Sequence, residues 1–477
     1  MTTNRFILCV SITFGLAYAA LGLTRHWRFE SSYDLAIFDQ AIWHLSRFGA
    51  PASSIRGYSN LLGDHFSPIL ATLAPLYWIA AAPESLIAAQ AALLAISIAP
   101  VYLFCRSRVP PAAAAMLSVS YGLFWGMQRA AAFDVHETAF APLAVSGLIL
   151  AMDRRRWWWF TVAAVALVLT KEDLIPLLVF VAIYLLARDE RRAGWILLAS
   201  SLAVFAVVIG VVIPAAGNGA YGYAGAYADA LRDSRRIPIM LVAPPVKLLT
   251  AFMWVAPFAL LPLASPLCTW LLPFAAERFL SSNSLHWGTL FHYSAPLAPI
   301  VAMAAADGLA RLARAIDNDV MRRRFTTAAA AMTIVLAAAL PGHQPLLQLL
   351  SPAFYALPLG DPTGDRAVAM IPADASVTAQ AAIAPHLAHR DNIRILEAGA
   401  PDLEYVIASG NASPWPAATV AEIAAFLRDR LSRGYVIVFD DAGWVVLRHE
   451  SATRYARSSL LSRFANGTRI GEQERVQ

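Results

Sequence analysis

The sequence predicts a polytopic, all-α membrane protein that carries a small α/β domain at its carboxyl end. Of its 477 residues, 58% are hydrophobic and 14% are charged, whereas soluble domains usually contain about 25% charged residues. Apolar runs separated by short arginine-rich breaks fill residues 1–341, and the composition then becomes that of an ordinary globular domain. The net charge of +5 is modest and its arginines are divided among the breaks, which does not favour nucleic-acid binding.

The arginine-rich breaks predict the orientation of the chain in the membrane. They lie at residues 106–108, 153–156, 188–192 and 311–324. Because Lys and Arg collect on the cytoplasmic side, we expect all four breaks there, with the amino terminus inside and the carboxyl-terminal domain outside.

About 11 spanning helices follow from these breaks, since a span needs about 20 mostly apolar residues. The expected spans are residues 6–24, 85–104, 111–131, 138–152, 157–170, 174–187, 193–214, 243–263, 266–281, 293–311 and 325–341. We interpret the first run as an uncleaved span rather than a signal peptide, because Arg5 alone forms its positive leader. Residues 66–82 contain two prolines, and we expect them to form a helix on the outer surface.

The predicted domains are therefore a transmembrane module, residues 1–341, with a first outer loop at 25–84, and an extracytoplasmic α/β domain at 342–477. In this second domain, a turn at residues 440–443 joins two strand-like segments into a hairpin, and a helix pattern at 418–431 precedes it. Three single cysteines in apolar runs offer no disulfide framework and no metal-ligand spacing.

Two acids, Asp34 and Asp39, stand in an otherwise apolar and aromatic segment just after the first span. Ser31 and Asp34 fit a capping box, which explains Asp34 as a helix cap. Asp39 falls in the middle of the expected helix, where a carboxylate facing lipid would cost a few kcal/mol. The two acids are about 140° apart around a helix, so we expect one to face a cavity and the other to cap or brace it.

The remaining acidic and histidine-containing clusters all fall on the expected outer side. Their residues are Asp64, His65, Asp134, His136, Glu137, Lys171, Glu172, Asp173, His286 and His292. Capping patterns account for several of the acids, but not for the histidines or the lysine. This distribution predicts an acidic, histidine-bearing pocket at the outer face.

Lys171 is the most informative member of these clusters. The apolar runs on either side of it would each span about 21 Å as helix, against roughly 30 Å of hydrocarbon. We therefore expect the turn 171–173 to lie below the outer surface, where a charge is a candidate functional group. A lysine at this depth suits a lipid phosphate, and the alternative is an internal ion pair with Glu172 or Asp173 that joins two short helices.

Several short motifs, taken together, resemble the bacterial membrane protein family named domain of unknown function 2079, over about residues 5 to 410. The motifs are YDLAIFDQAIW (33–43), GDHFSP (63–68), FDVHE (133–137), KED (171–173), YSAP (293–296) and the tail segment 371–387. That family is similar to glycosyltransferases of the GT-C type, which use polyprenyl-phosphate sugars as donors and carry an acid in the first outer loop. The resemblance places Asp34 at that acid and leaves Asp39 unassigned.

The resemblance implies a multi-pass enzyme of the bacterial inner membrane. It would transfer a hexosyl or pentosyl unit to an envelope acceptor with inversion of configuration at the anomeric carbon. Asp34, or else Asp39, would be the base, and Lys171 with His65 would hold the donor phosphate. The acceptor pocket would contain Asp64, Asp134, His136, Glu137, Glu172, Asp173, His292 and Tyr293. Asp134, His136 and Glu137 are also the candidate ligands of a divalent metal, although the sequence makes no cofactor certain. A transporter and a non-catalytic assembly protein are the alternative functions.

Overall fold

The structure is a computed structural model that describes residues 2–217, 219–356 and 358–450. Residues 451–477 of the predicted second domain thus lie outside the described residues. The α-helices are α1 (Thr3–Trp27), α2 (Tyr33–Ser46), α3 (Pro83–Ile96), α4 (Ile98–Arg106), α5 (Pro111–Leu123), α6 (Trp125–Ala132), α7 (Ala141–Asp153), α8 (Trp157–Thr170), α9 (Ile175–Leu186), α10 (Arg191–Val207), α11 (Ile213–Ala216), α12 (Ala228–Arg232), α13 (Ile237–Val242), α14 (Val246–Val255), α15 (Leu272–Leu280), α16 (Ala298–Ala313), α17 (Asp319–Ala339), α18 (Pro352–Ala356), α19 (Pro362–Ala369) and α20 (Val420–Ser432). The strands are β1 (Val377–Ala379), β2 (Ile393–Ile395), β3 (Tyr405–Ser409), β4 (Tyr435–Asp441) and β5 (Trp444–His449).

The chain divides into two compact units. The membrane unit contains residues 1–26, 41–53 and 58–358, and the carboxyl-terminal unit contains residues 27–40, 54–57 and those from 359 onward. The sequence-based division placed the whole first outer loop, 25–84, with the transmembrane module. In the structure, the part of this loop that carries Asp34 and Asp39 belongs to the carboxyl-terminal unit.

The centre of the membrane unit is α16, in which Ile300 to Ala306 are buried on every side. Most of these residues are alanines, whose small side chains let neighbouring segments approach closely. A Cβ on Gly308 would lie 2.0 Å from the carbonyl oxygen of Leu261, so the 3-10 turn Leu261–Ala264 packs directly on the α16 backbone.

The membrane unit contains fewer clear spans than the sequence predicted. Within the described residues, four helices are long and apolar enough to cross a membrane, or five if one bent pair forms a single span. The long helices are Thr3–Trp27, Pro83–Arg106, Arg191–Ala216 and His292–Ala313. The expected count of about 11 is therefore not confirmed.

Part of this difference comes from short helices, such as α8 with 14 residues and α9 with 12, and part from local breaks in the backbone. The expected span 111–131 is interrupted at Phe124, whose backbone leaves the helical region between α5 and α6. The expected span at 266–281 begins as a 3-10 helix, Pro266–Leu271. The bent pair, Ser234–Val242 with Val246–Phe258, changes direction by 64° at prolines that interrupt helical hydrogen bonding. The expected outer-surface helix is a 3-10 helix, Pro68–Trp78.

The carboxyl-terminal unit contains a mixed five-stranded sheet in the order β2-β1-β3-β5-β4. Strands β1, β2 and β3 are parallel, and β5 pairs antiparallel with β3 and β4. The predicted hairpin is confirmed as β4–β5, with Ala442 and Gly443 both at positive φ in the two-residue turn. The predicted helix is confirmed as α20, where the Thr419 hydroxyl accepts from the backbone N–H of Glu422 and the Glu422 carboxylate accepts from that of Ala418.

Candidate active site

The short helices α8 and α9 place Lys171 inside the membrane unit. They contain 14 and 12 residues, and Lys171 between them is extended, with φ −167° and ψ 144°. A single 3-10 turn, Glu172–Leu174, then leads into α9, whose second residue is Pro176. Lys171 and Asp173 form an ion pair in this turn, whereas the side chain of Glu172 between them has a different partner, His65.

Lys171 pairs with two carboxylates. Its Nζ atom lies 3.0 Å from Oε1 of Glu137 and 3.6 Å from Oδ2 of Asp173. Glu137 is 1% exposed, and although burial opposes its ionisation, the charge of Lys171 holds its pKa below the usual range. The expected internal ion pair is thus present with Asp173, and Glu137 is the closer partner.

Asp173 differs from Glu137 because its side chain is 30% exposed and its pKa is raised to about 6. Burial is the main cause of this rise, and the neighbouring Glu172 adds to it, whereas Lys171 opposes it. Asp173 is therefore a carboxyl group beside a buried cation that gains or loses its proton close to neutral pH.

Glu172 faces away from Lys171 and binds residues of the first outer loop. Its Oε1 atom lies 2.6 Å from Nδ1 of His65, and its Oε2 accepts a hydrogen bond from the backbone N–H of Phe66 at 2.8 Å. Burial raises the pKa of Glu172, but the charge and hydrogen bond of His65 dominate and lower it to about 2. Burial and Lys171 lower the pKa of His65, and Glu172 outweighs them and raises it. His65 and Glu172 therefore each favour the charged form of the other.

A close backbone crossing brings a glycine- and tyrosine-rich segment, residues 217–227, to this cluster. A Cβ on Gly63 would lie 2.3 Å from the Cα of Gly217, so that side chains are excluded where the two segments cross. Beyond the crossing, the Tyr221 hydroxyl donates to Glu172 at 3.2 Å. Tyr223 donates to Asp64 at 2.9 Å, and its ring stacks on His65 with centroids 4.4 Å apart.

We name Asp64, His65, Glu137, Lys171, Glu172 and Asp173 the Lys171 cluster. Its members come from three separate parts of the sequence and are joined through the contacts described above. Each of its two cations is paired with carboxylates, and two tyrosine hydroxyls cover the acids. An arrangement of this kind can bind a polar ligand that replaces one of the carboxylates as the partner of Lys171 or His65.

The other pocket candidates surround an aromatic stack in the membrane unit. The rings of His136 and His292 have centroids 3.9 Å apart, and Phe133 stacks on His292 at 5.1 Å. Tyr293 lies beside His292 at 4.4 Å, and Asp134 is buried next to the stack, where its carbonyl oxygen is 3.2 Å from Nδ1 of His136.

The proposed metal ligands do not fit a metal centre in this arrangement. Across the residues that the structure describes, no group of three or more His, Cys, Asp or Glu side chains is placed to hold a metal ion. His136 contacts another ring, and Glu137 faces Lys171, whose positive charge disfavours a cation there. The candidate set of Asp134, His136 and Glu137 is therefore not assembled as a metal site.

The two acids after the first span have different environments in the carboxyl-terminal unit. Asp34 lies in the first turn of α2 and is partly exposed, whereas Asp39 is fully buried. Oδ1 of Asp39 lies 3.0 Å from Nε2 of His389, whose side chain is 26% exposed. Burial thus identifies Asp34 as the accessible acid and Asp39 as the one that braces another side chain.

Hydrogen bonds from Gln40 hold the segment that carries His389. The Gln40 side chain donates to the carbonyl oxygen of Arg390 at 2.7 Å and bonds both the hydroxyl and the backbone N–H of Ser54. Arg390 in turn donates to the carbonyl oxygens of Leu387 and Ala375 at 2.7 and 2.6 Å. The residue next to Asp39 therefore fixes the backbone on which His389 stands.

Tyr221, Tyr223 and His389 were not predicted from the sequence. The predicted site residues lie in charged clusters, and residues 217–227 contain no charged residue, although their alternating Gly and Tyr residues are unusual in an apolar chain. His389 follows the tail motif by two residues, and its partner Asp39 is 350 positions away. A pairing over that distance has no local sequence signal.

Comparisons with known proteins agree with the described architecture. The family described as "Predicted membrane protein (DUF2079)" matches residues 25–446. ArnT from Cupriavidus metallidurans bound to undecaprenyl phosphate superimposes with a TM-score of 0.52 at 14% identity, covering 91% of this chain and 97% of that one. The apo structure of the same ArnT gives 0.52 at 12% identity with the same coverage.

The oligosaccharyltransferase of Archaeoglobus fulgidus, in complex with zinc and sulfate, gives a TM-score of 0.48 at 14% identity and covers 84% of this chain and 68% of that one. None of the curated proteins matches the sequence. The likeness to ArnT, at this low identity, extends over nearly the whole of both chains and concerns the fold.

Proposed function

Because the chain belongs to the DUF2079 family of predicted membrane proteins, and its fold is like that of ArnT, we propose that it is an integral membrane glycosyltransferase. The proposed reaction transfers a sugar from a polyprenyl-phosphate donor to an acceptor at the outer face of the membrane. The likeness to an ArnT structure that holds undecaprenyl phosphate is the observation that carries the donor class.

The Lys171 cluster would bind the donor phosphate. A phosphate that enters the cluster competes with Glu137 and Asp173 for the charge of Lys171. Since the pKa of Asp173 is about 6, this acid can take up a proton, give up its share of Lys171 and donate a hydrogen bond to a phosphate oxygen. Lys171 then stabilises the charge that grows on the phosphate as the bond to the sugar breaks.

Asp34 would accept the proton of the acceptor hydroxyl. It is partly exposed, as a base that meets a substrate must be, and such a base contributes about 10²–10⁴-fold to the rate. Attack by the acceptor oxygen opposite the phosphate forms the new glycosidic bond, releases polyprenyl phosphate and inverts the anomeric carbon. Asp39 takes no direct part, because its side chain is 1% exposed and faces His389.

The test is the Asp34→Asn variant, which keeps the size of the side chain and its capacity to cap α2. Lipid-linked sugars and surface glycans are compared in cells that carry the wild type, this variant, Asp374→Asn or no protein. We expect Asp34→Asn to match the cells without protein, with donor lipid accumulated and one glycan unit lost. Asp374 is an exposed acid of the same unit, and its variant should match the wild type.

Other outcomes identify the alternative functions. Full glycans with Asp34→Asn would contradict the assigned base and favour an assembly protein. Purified wild type that never releases polyprenyl phosphate from a labelled donor, while moving that donor across vesicles, would indicate a transporter.

A further inference from the structure

A polar cavity lies in the membrane unit, where the ends of α4, α7, α9 and α16 meet. Its volume is about 340 Å³, within the range of about 300–1,000 Å³ that is usual for small-ligand sites. Its lining includes Arg108, Arg155, Arg188 and Arg311. Each of these arginines comes from a different arginine-rich break, so the four breaks converge on one site. Arg155 and Lys171 adjoin opposite ends of α8, and the cavity is thus distinct from the Lys171 cluster.

Three carboxylates also line the cavity and are paired with three of its arginines. Arg108 forms an ion pair with Asp153, and its Nε atom lies 3.5 Å from Asp307. Asp307 also accepts a hydrogen bond from Nε of Arg311 at 2.7 Å. The third carboxylate, Glu190, pairs with Arg155. These ion pairs connect the turns to one another and pair all three acids of the lining with arginines.

Arg188 is the remaining cation of the lining. Among the described residues it forms no ion pair with a carboxylate, and its Nη1 donates to the hydroxyl of Tyr184 at 3.0 Å. The guanidinium also lies 5.6 Å from the centroid of the Tyr184 ring. This contact holds the exposed guanidinium at the cavity. The four arginines and three acids of the lining together carry a net charge of +1.

The cavity is close to the lipid-facing surface. Trp157 lines it, and the next two residues, Trp158 and Trp159, are 73% and 64% exposed at the start of an apolar helix. Exposed tryptophans at the end of an apolar helix are typical of the level of the lipid headgroups. An arginine-lined cavity at this level lies where phosphodiester groups are most concentrated.

We propose that this cavity binds the phosphate headgroup of an anionic phospholipid from the adjacent leaflet, with Arg188 as the main contact and Arg155 at its side. A planar guanidinium offers two parallel N–H groups to phosphate oxygens, and basic pockets between membrane helices bind anionic headgroups in this way. The phosphate of the bound lipid would be the anionic partner of Arg188, and its contacts would stabilise the turns that form the cavity. This site does not depend on the proposed sugar transfer.

The experiment uses the full chain in nanodiscs of phosphatidylcholine with or without phosphatidylglycerol. Retained phosphatidylglycerol is counted by native mass spectrometry, and the melting temperature is recorded. We expect phosphatidylglycerol to bind and to raise the melting temperature of the wild type, and Arg188→Gln to weaken that binding about tenfold. Arg192→Gln removes the same charge from the same break but does not line the cavity, and it should bind like the wild type.

Equal binding by Arg188→Gln and the wild type, or equal losses in Arg188→Gln and Arg192→Gln, would overturn the proposal. The same holds if millimolar inorganic phosphate stabilises the protein in phosphatidylcholine as much as phosphatidylglycerol does, because the ligand would then be a free anion. If Arg188→Gln does not fold, Arg155→Gln provides the same comparison, since its side chain is 70% exposed and also lines the cavity.

Discussion

At the scale of single residues, Lys171 is the cation on which the candidate donor site depends. Lys171→Met keeps the aliphatic stem and removes the charge that Glu137 and Asp173 share. We expect affinity for the proposed polyprenyl-phosphate donor to fall at least about tenfold, because one full charge is lost from the phosphate contact. We also expect a lower melting temperature, since leaving the buried Glu137 unpaired costs about 3–5 kcal/mol.

A double variant separates these two effects. Lys171→Met with Glu137→Gln removes the unpaired acid, so the melting temperature should recover while lipid affinity stays low. Lys247→Met is the matched control, because Lys247 is 3% exposed and donates to two carbonyl oxygens, of Met240 and Phe279. It should lower stability and leave lipid affinity unchanged. Wild-type affinity in Lys171→Met, with stability lost and then rescued, would remove Lys171 from the donor site.

Asp173 makes a prediction about pH. Its pKa of about 6 means that it is mostly protonated below pH 6 and competes for Lys171 as a carboxylate above that value. Affinity for a polyprenyl-phosphate sugar should therefore fall as pH rises through about 6. The ligand must be the diester, because a phosphate monoester has its own pKa near 6. Asp173→Asn, which resembles the protonated acid, should bind tightly at both pH 5 and pH 7.

Four other charged groups around Asp173 have pKa values that are shifted away from 6. Glu172 has a pKa of about 2, and the pKa of His65 is raised, so that its proton is lost at higher pH than that of an ordinary histidine. Glu137 and Lys171 keep their charges throughout the range, since their pKa values are shifted down and up respectively. The same fall in affinity around pH 6 in Asp173→Asn would assign the effect to another group.

At the scale of elements, the crossing at Gly63 and Gly217 joins the first outer loop to the glycine- and tyrosine-rich segment. A methyl group on Gly63 would overlap the backbone of residue 217, which cannot move aside as a side chain could. Gly63→Ala should therefore lower the melting temperature by several degrees and weaken donor-lipid binding by displacing His65. Thermal melting and lipid binding are measured together, because the structural contact predicts that both change.

Gly147→Ala is the control for this substitution. A Cβ on Gly147 would have its nearest neighbour 4.0 Å away, and alanine is the better helix former within α7. Its melting temperature should be equal to or above that of the wild type. An unchanged Gly63→Ala protein would show that the two segments can separate without loss of the site.

Some elements could be predicted from the sequence because their signals are local. The β4–β5 hairpin combines two strand-like runs with a Gly-containing turn, and α20 is a helical pattern closed by Gly434, which has a positive φ. The presence of a charged turn at Lys171 followed from the lengths of its flanking runs. The sequence did not predict that Lys171 pairs with Glu137 or that Asp39 pairs with His389. Tertiary packing decides which carboxylate meets which cation over such long sequence separations.

Helix boundaries in the membrane unit were the least predictable feature. Hydropathy detects apolar composition, but it does not detect a backbone that leaves the helical region at Phe124 or that runs as a 3-10 helix at 266–271. In a large protein such breaks are tolerated at membrane depth, because neighbouring segments satisfy the exposed backbone groups. Apolar runs therefore outnumber the uninterrupted helices.

At the scale of the whole molecule, convergence of the four arginine-rich breaks on one cavity supports their placement on one side of the membrane. The last of these breaks continues into α17, whose first turns carry Arg322 and Arg324. Its 21 residues extend about 31 Å and contain most of the expected last span, 325–341, although α17 is not among the four helices found apolar and long enough to cross a membrane. The predicted topology keeps it as a span. The chain beyond α17 should then lie on the opposite side, outside the cell.

Reporter fusions test this topology. A reporter that works only in the cytoplasm should be silent when it is fused after Gln477, and active when it is inserted beside Arg192, in a break expected inside. A reporter that works only outside should give the reverse pattern, which excludes poor expression as the cause of silence. Activity of the cytoplasmic reporter after Gln477 would invert the orientation of the carboxyl-terminal domain. The outer-face reaction proposed for Asp34 would then be excluded, since the carboxyl-terminal unit that contains Asp34 would lie inside the cell.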